Sequence, residues 1–462
     1  MRERPKNLRA IPAVEKVLQA IGQTGLPRPV VVAVVRRELA ALRAGGEVPA
    51  PDSVVANIRV TLDALSQSRL QPLINGTGVM IHTNLGRAPL GPAVVDTLSA
   101  MAANYNNLEY DLRAGERGGR AGYLEHNLAL LCEAQAATVV NNCAAALVLI
   151  LRHFTAGARK QVIISRGELV QIGGGFRIPE ILESSGAVLR EIGATNKTAL
   201  ADYSKAIGRE SAMILKVHRS NFFMGGFVES PTTEELAALA RRKRIPFVED
   251  LGSGAVVQTE RLAGVDHEPT PAEVLRRGVD LVCFSGDKLF GGPQAGLIAG
   301  RSRLVAALKR EPFFRALRCD KLILSALQTT VDLCLENTAN KTDGQGLPAL
   351  EMLAAPNHAL RRRAEALVAA LAGLPIKAAV GNAQAQVGGG TLPRAELASV
   401  SLDLLPEAQA IEAFAARLRR ATPPVVGYVG GGKFKLDLRT IFPRQDAELL
   451  GVLRACLESS AA

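Results

Sequence analysis

DLVCFSGDKLFGGPQAGLIAG, residues 280–300, is the stretch on which the fold reading turns. An apolar run ends at Ser285, Gly286–Asp287–Lys288 follows, then a Gly-Gly-Pro turn and a second apolar run. Glycine lets the backbone turn sharply at a strand end, so the Lys288 amine can be presented to a pocket. An amine taken out of water there can form an imine (Schiff base) with an aldehyde. The same string also describes a surface lysine in a glycine-rich hairpin, so the residues before it have to decide.

Upstream, from about Gln71 to Leu335, short β-rich runs alternate with helical stretches. QVIIS (161–165), AVLREI (187–192), AMILKV (212–217), IPFVED (245–250) and DLVCFS (280–285) read as strands, and PTTEELAALARRKR (231–244) as a helix between two of them. This alternation predicts an α/β fold with a mostly parallel sheet covered by helices. Ligands of such sheets bind at the carboxyl ends of the strands. IPFVED ends there on Asp250, with Glu249 aimed to the opposite face. VVNNCAAALVLIL (139–151) places Asn142, Cys143 and Ala144 between a strand and an Ala/Leu-rich helix, whose first N–H groups make an anion site. Singly, an Asp turning into Gly252 and a βα turn are commonplace. In the order anion loop, carboxylate, lysine, they supply what pyridoxal 5′-phosphate requires. The loop takes the phosphate, the carboxylate keeps the ring nitrogen protonated so that the ring can accept carbanion electrons, and the lysine carries the aldehyde.

That order resembles the fold type I (aspartate aminotransferase-like) enzymes. The resemblance implies a large sheet domain, a small C-terminal α/β domain and at least dimeric assembly. NGTGVMIHTNLGRAPL (75–90), ERGGRAGYLEHN (116–127), ISRGELVQIGGGFRIPEI (164–181), KVHRSNFFMGGF (216–227), FSGDKLFGGPQAG (284–296) and ALRCDKLILSALQ (316–328) sharpen it. In register along the whole chain, they resemble the bacterial selenocysteine synthases, the L-seryl-tRNA(Sec) selenium transferases. The reaction implied is conversion of seryl-tRNA(Sec) to selenocysteinyl-tRNA(Sec) with selenophosphate, by β-elimination of water and addition of selenium through an aminoacrylyl-tRNA. Shorter relatives with this catalytic domain, lyases of small amino sugars or amino acids, are the alternative, against which the basic N-terminal segment speaks.

The resemblance also ranks the remaining candidates. The serine carboxylate is esterified to tRNA, so no arginine is needed to clamp it. Arg87, Arg120, Arg315 and Arg318 are instead expected to bind phosphate, from selenophosphate or the tRNA end; each also reads as a salt-bridged or solvated arginine. Asp287 is expected to orient the donor or Lys288, unless it serves only the turn. Phe176 or His218 is the aromatic ring expected to stack on the cofactor, and Ser253 or Ser285 can reach it. Cys143 reads as a small lining residue rather than a nucleophile.

Residues 1–70 look helical and separate, with helices from Val14 to Leu42, broken near Gly25 to Pro29, and from a cap at Asp52 or Ser53 to about Leu70. They carry 11 Lys/Arg against 6 Asp/Glu. The whole chain has a formal net charge of +11 over 462 residues. This surplus suits a polyanion, and the family likeness assigns the segment to tRNA binding; a solvated helical face would look the same. Without Trp, and with no aromatic platform in this segment, recognition of RNA shape and backbone is expected. Residues 71–335 form the expected catalytic domain and 336–462 the small C-terminal domain, with helices at 361–374 and 406–421 and a hairpin turn at Gly430–Gly432. None of the six cysteines has metal-ligand spacing, so no metal is expected and the thiols read as reduced. No apolar run reaches about 18 residues and the basic start MRERPKNLRA lacks a signal core. A cytoplasmic protein without a membrane span is expected, assembled by the family likeness as a ring of dimers, a homodecamer.

Overall fold

The computed structural model describes residues 11–45, 49–171, 175, 177–342 and 344–458. The chain forms two compact units, Met1–Ile74 with Glu412–Val425, and Asn75–Ile411 with Val426–Ala462.

In the first unit, α1 (Val14–Ile21), α2 (Arg28–Ala44) and α3 (Pro51–Gln67) bury Val17, Ile21, Val31, Val35, Leu39, Val54, Ile58 and Leu62 against one another. Within each helix these recur four apart, which aligns them on one helical face. The break expected near Gly25 to Pro29 separates α1 from α2. The start of α3 differs from expectation. Its N-cap is Ala50 and Pro51 occupies the first turn, so neither Asp52 nor Ser53 caps it. Proline's fixed φ starts the helix instead, and Asp52 lies in the first turn, where a carboxylate opposes the helix dipole. Arg59 donates to the carbonyls of Ala20 and Ile21, at 2.8 and 3.2 Å, satisfying the end of α1.

The second unit is built on a seven-stranded sheet: β1 (Ala136–Val140), β2 (Gln161–Ser165), β3 (Val188–Ile192), β4 (Ser211–Val217), β5 (Phe247–Gly252), β6 (Leu281–Ser285) and β7 (Gly296–Gly300). Their spatial order is β1-β7-β6-β5-β4-β2-β3. All run parallel except β7, which is antiparallel to both β1 and β6. The expected mostly parallel sheet is present. Both faces are covered: Ile163, Ile214, Val282 and Phe284 pack on one side, and Val162, Ile164, Met213, Leu215, Val248 and Cys283 on the other. Side chains alternate across a strand, and burial on both faces explains why β6 and β7 are apolar without interruption. Helix α4 (Cys143–Phe154) follows β1, and α5 (Thr233–Lys243) is fixed by a reciprocal Thr232–Glu235 capping box.

A four-stranded antiparallel sheet follows, β8 (Ile376–Gly388), β9 (Thr391–Pro406), β10 (Tyr428–Gly430) and β11 (Lys433–Asp437), in the order β8-β9-β11-β10. Gly431 and Gly432, at φ 59° and 71°, make the turn expected between β10 and β11. The long β8–β9 hairpin was not expected from the sequence, and its tip reaches the site described next. Among the described residues no helix is long and apolar enough to cross a membrane.

Candidate active site

The carboxyl ends of β4, β5 and β6, the start of α4 and the tip of the β8–β9 hairpin enclose one cavity of about 490 Å3. It lies where a parallel sheet places its ligands. Lys288, Asp250, Asn142, Cys143 and Ala144 all line it, with Ser285, His218 and Arg87.

Lys288 sits in the turn between β6 and β7, held by main-chain bonds from Gly286 N to Ala295 O (2.9 Å) and from Gly291 N to Lys288 O (3.0 Å). Its surroundings are kept open by glycine. A methyl group at Gly252 or at Gly390 would stand 3.9 Å from Nζ, and both glycines have positive φ, 66° and 75°. Asp250 is 8% exposed. Its carboxylate accepts from Gly252 N–H at 3.1 Å and from the Cys143 thiol at 3.5 Å. Burial pushes its pKa above the usual aspartate value, opposed first by the Lys288 charge and then by the Cys143 hydrogen bond. Among the described residues no salt bridge reaches it. A buried carboxylate without a paired cation, facing a cavity that holds an amine, fits a protonated ring nitrogen.

Asn142 caps α4: its Oδ1 accepts from Ala145 N at 2.8 Å. That leaves the N–H groups of Cys143 and Ala144, the first two of the helix, without an intrahelical acceptor at the cavity wall. They fit a phosphate. His218 extends β4; its backbone N–H donates to Asp250 O at 2.8 Å and its Nε2 lies 3.0 Å from Glu268 Oε1. Phe176 lies outside the described residues. Ser253 is fully buried beside the cavity rather than lining it, and among the described residues its hydroxyl has no hydrogen-bond partner. Asp287 also lies behind the wall, where it pairs with Arg87 at 2.6 Å, so it acts on that guanidinium.

The other three arginines do not line the cavity. Arg120 donates to Glu109 at 2.7 Å and to the Cys319 carbonyl, and Arg318 lies 3.6 Å from the same Glu109. The hydrogen bond from Arg120 holds Glu109 below the usual carboxylate range, with Arg117 adding to it. Arg315 is exposed on a short helix, Pro312–Ala316.

Thr83, Ser220, Asn221, Gln294, Gly389 and Gly390 also line the cavity. The first four fall inside the strings quoted from the sequence but carried no separate signal. The two glycines had none, because the hairpin that carries them was not foreseen.

Residues 73–442 match the family model of L-seryl-tRNA selenium transferase (SelA). The chain is 44% identical over 461 residues to the L-seryl-tRNA(Sec) selenium transferase of Geotalea uraniireducens (strain Rf4), covering 97% of this chain and 98% of that one. It is 41% identical over 452 residues to the enzyme of that name from Carboxydothermus hydrogenoformans, covering 95% and 96%. Among solved structures, D-glucosaminate-6-phosphate ammonia-lyase superposes with a TM-score of 0.58 at 18% identity, covering 86% of this chain and 99% of that one. That likeness concerns the fold alone.

Proposed function

The chain belongs to the L-seryl-tRNA selenium transferase family, and on that premise we propose that it converts L-seryl-tRNA(Sec) to L-selenocysteinyl-tRNA(Sec) with Lys288 and Asp250 as its central residues. The observation that carries this reading is the meeting of the Lys288 amine, the buried Asp250 carboxylate and the open end of α4 in one cavity.

The cofactor is pyridoxal 5′-phosphate, which when bound serves as electron sink for a carbanion at the serine α-carbon. The N–H groups of Cys143 and Ala144 would hold its phosphate, and Asp250 would hold a proton at the ring nitrogen. Lys288 Nζ would hold the cofactor through its aldehyde carbon, and the free Lys288 amine would be the base for the serine α-proton. The serine β-hydroxyl would take up a proton and leave as water, the selenium of selenophosphate would bond to the β-carbon, and water would cleave the Se–P bond and release phosphate. His218, which lines the cavity, would stack on the cofactor ring. Arg87, fixed by Asp287, binds the anionic donor, selenophosphate. Arg120, Arg315 and Arg318, outside the cavity, serve phosphates of the tRNA end.

The basic first unit binds the tRNA, and the family likeness supports a homo-oligomer, a ring of dimers, working in the cytoplasm. Incubation with seryl-tRNA(Sec) and selenophosphate, followed by mass analysis of the aminoacyl group, should show serine replaced by selenocysteine. A seryl group left unchanged by cofactor-loaded protein overturns the reading. Removal of residues 1–70 should weaken tRNA retention on filters at least about tenfold at moderate salt, since several phosphate contacts go with them. The cofactor absorbance should stay. Unchanged retention would move tRNA binding elsewhere on the chain.

A further inference from the structure

Three side chains remote in sequence meet at the floor of the cavity. Cys143 opens α4, Asp250 lies near the end of β5, and Cys283 is the register partner of Asp250 on neighbouring β6. The two thiol sulfurs and a carboxylate oxygen all lie within 4.8 Å of one another. Among the described residues no other three His, Cys, Asp or Glu side chains are spaced this closely. Cys143 and Asp250 face the cavity, while Cys283 is fully buried behind them.

Two sulfurs and a carboxylate are the donor set of a thiophilic, four-coordinate divalent cation. With Zn–S near 2.3 Å and Zn–O near 2.0–2.2 Å, tetrahedral ligand atoms stand roughly 3.5–4 Å apart, so the three need shift little to share one ion. Binding displaces both thiol protons to solvent and leaves the oxidation states unchanged. The fourth position opens to the cavity, where water can occupy it. The Asp250 carboxylate lies close to both thiols.

We propose that, when the cofactor is absent, Cys143, Asp250 and Cys283 bind one thiophilic divalent cation such as Zn2+, and that cation and cofactor exclude one another. Exclusion follows because Asp250 cannot serve both a metal ion and the ring nitrogen. In this respect the inference rests on the proposed role of Asp250, but it is independent of the tRNA substrate. The consequence is that cofactor loading becomes sensitive to free zinc.

The test uses the full-length chain in two forms, cofactor-loaded and stripped of cofactor. Cd2+ is titrated into each while the thiolate-to-cadmium charge-transfer absorption is recorded. The stripped chain should bind one Cd2+ tightly and the loaded chain should bind none at this site. Cys283→Ala should weaken the binding at least about 100-fold, as loss of a first ligand exceeds the roughly 10–100-fold of an outer-shell change. Cys283→Ser, of nearly the same volume, should do likewise, and regain of the cofactor absorbance shows that either variant is folded. Equimolar Zn2+ should slow cofactor reloading of the unaltered chain and not of Cys283→Ala. Absence of the absorption in the stripped chain overturns the proposal. So does an absorption that survives both Cys283 variants, or equal binding by loaded and stripped chains. Failure here leaves the metal-free mass assay standing, and failure there leaves this titration standing.

Discussion

Lys288→Ala should lower conversion of seryl-tRNA(Sec) at least about 10³-fold, because a general base alone is worth roughly 10²–10⁴ and the covalent hold on the cofactor is lost with it. The protein should still fold. The turn around Lys288 is fixed by main-chain bonds at Gly286, Gly291 and Gly292, none of which uses the lysine side chain. The side chain is half-buried and faces a cavity rather than the core. Retention of tRNA on filters should therefore stay near that of the unaltered chain. Lys288→Arg sharpens the result. It keeps the charge that steadies Asp250 but offers a guanidinium that stays protonated and forms no imine, so it should be as inactive as the alanine variant. Mass analysis of the aminoacyl group and cofactor absorbance after gel filtration read both effects. Turnover within tenfold of the unaltered chain in either variant would remove Lys288 from the chemistry.

What made Lys288 legible was local. A strand end, a glycine turn and a basic residue occupy nine consecutive positions, and all five strands named from the sequence form within two residues of where they were placed at either end. Four of them, β2, β4, β5 and β6, are buried along nearly their whole length and written mostly in β-branched and aliphatic residues, whereas the edge strand β3 is largely exposed. The β8–β9 hairpin carries the opposite signature. IKAAVGNAQAQVG is rich in Ala, Gly and Gln, which have little β preference, and pairing with β9 rather than local preference makes it a strand. Its turn glycines, and with them one wall of the cavity, stayed hidden for that reason. The arginines show another limit. A string can single out Arg120 and Arg318, but not show that both turn to Glu109, a residue with no motif of its own. The Cys143–Asp250–Cys283 cluster depends on strand order, since β5 and β6 must be neighbours in register for Asp250 and Cys283 to meet.

Asp250→Asn separates stability from chemistry, and the two should move in opposite directions. Burial raises the Asp250 pKa in the folded chain above its ordinary value. Between the two values the folded state holds the proton more often than the unfolded state, so stability falls as pH rises through that window. The contribution is fully present below about pH 4, the unfolded value, and is lost once pH passes the raised folded value. As pH rises above about 4, the raised pKa thus weighs against the cofactor-free chain, relieved only in part by the Lys288 charge. An amide removes that burden, keeps the shape and can still accept from Gly252 N–H. Melting of the stripped Asp250→Asn chain should therefore occur at or above the temperature of the unaltered chain at pH 8, with the difference shrinking at pH 4. Turnover should fall roughly 10²–10³-fold, the scale of one lost electrostatic partner in a closed site, because a neutral amide does not keep the ring nitrogen protonated. Asp250→Glu retains the charge but carries it one methylene further into a packed site, so it should recover only part of the activity. A variant that melts several degrees lower at pH 8 yet turns over normally would make Asp250 a structural residue, and the carboxylate of the site would have to be sought elsewhere.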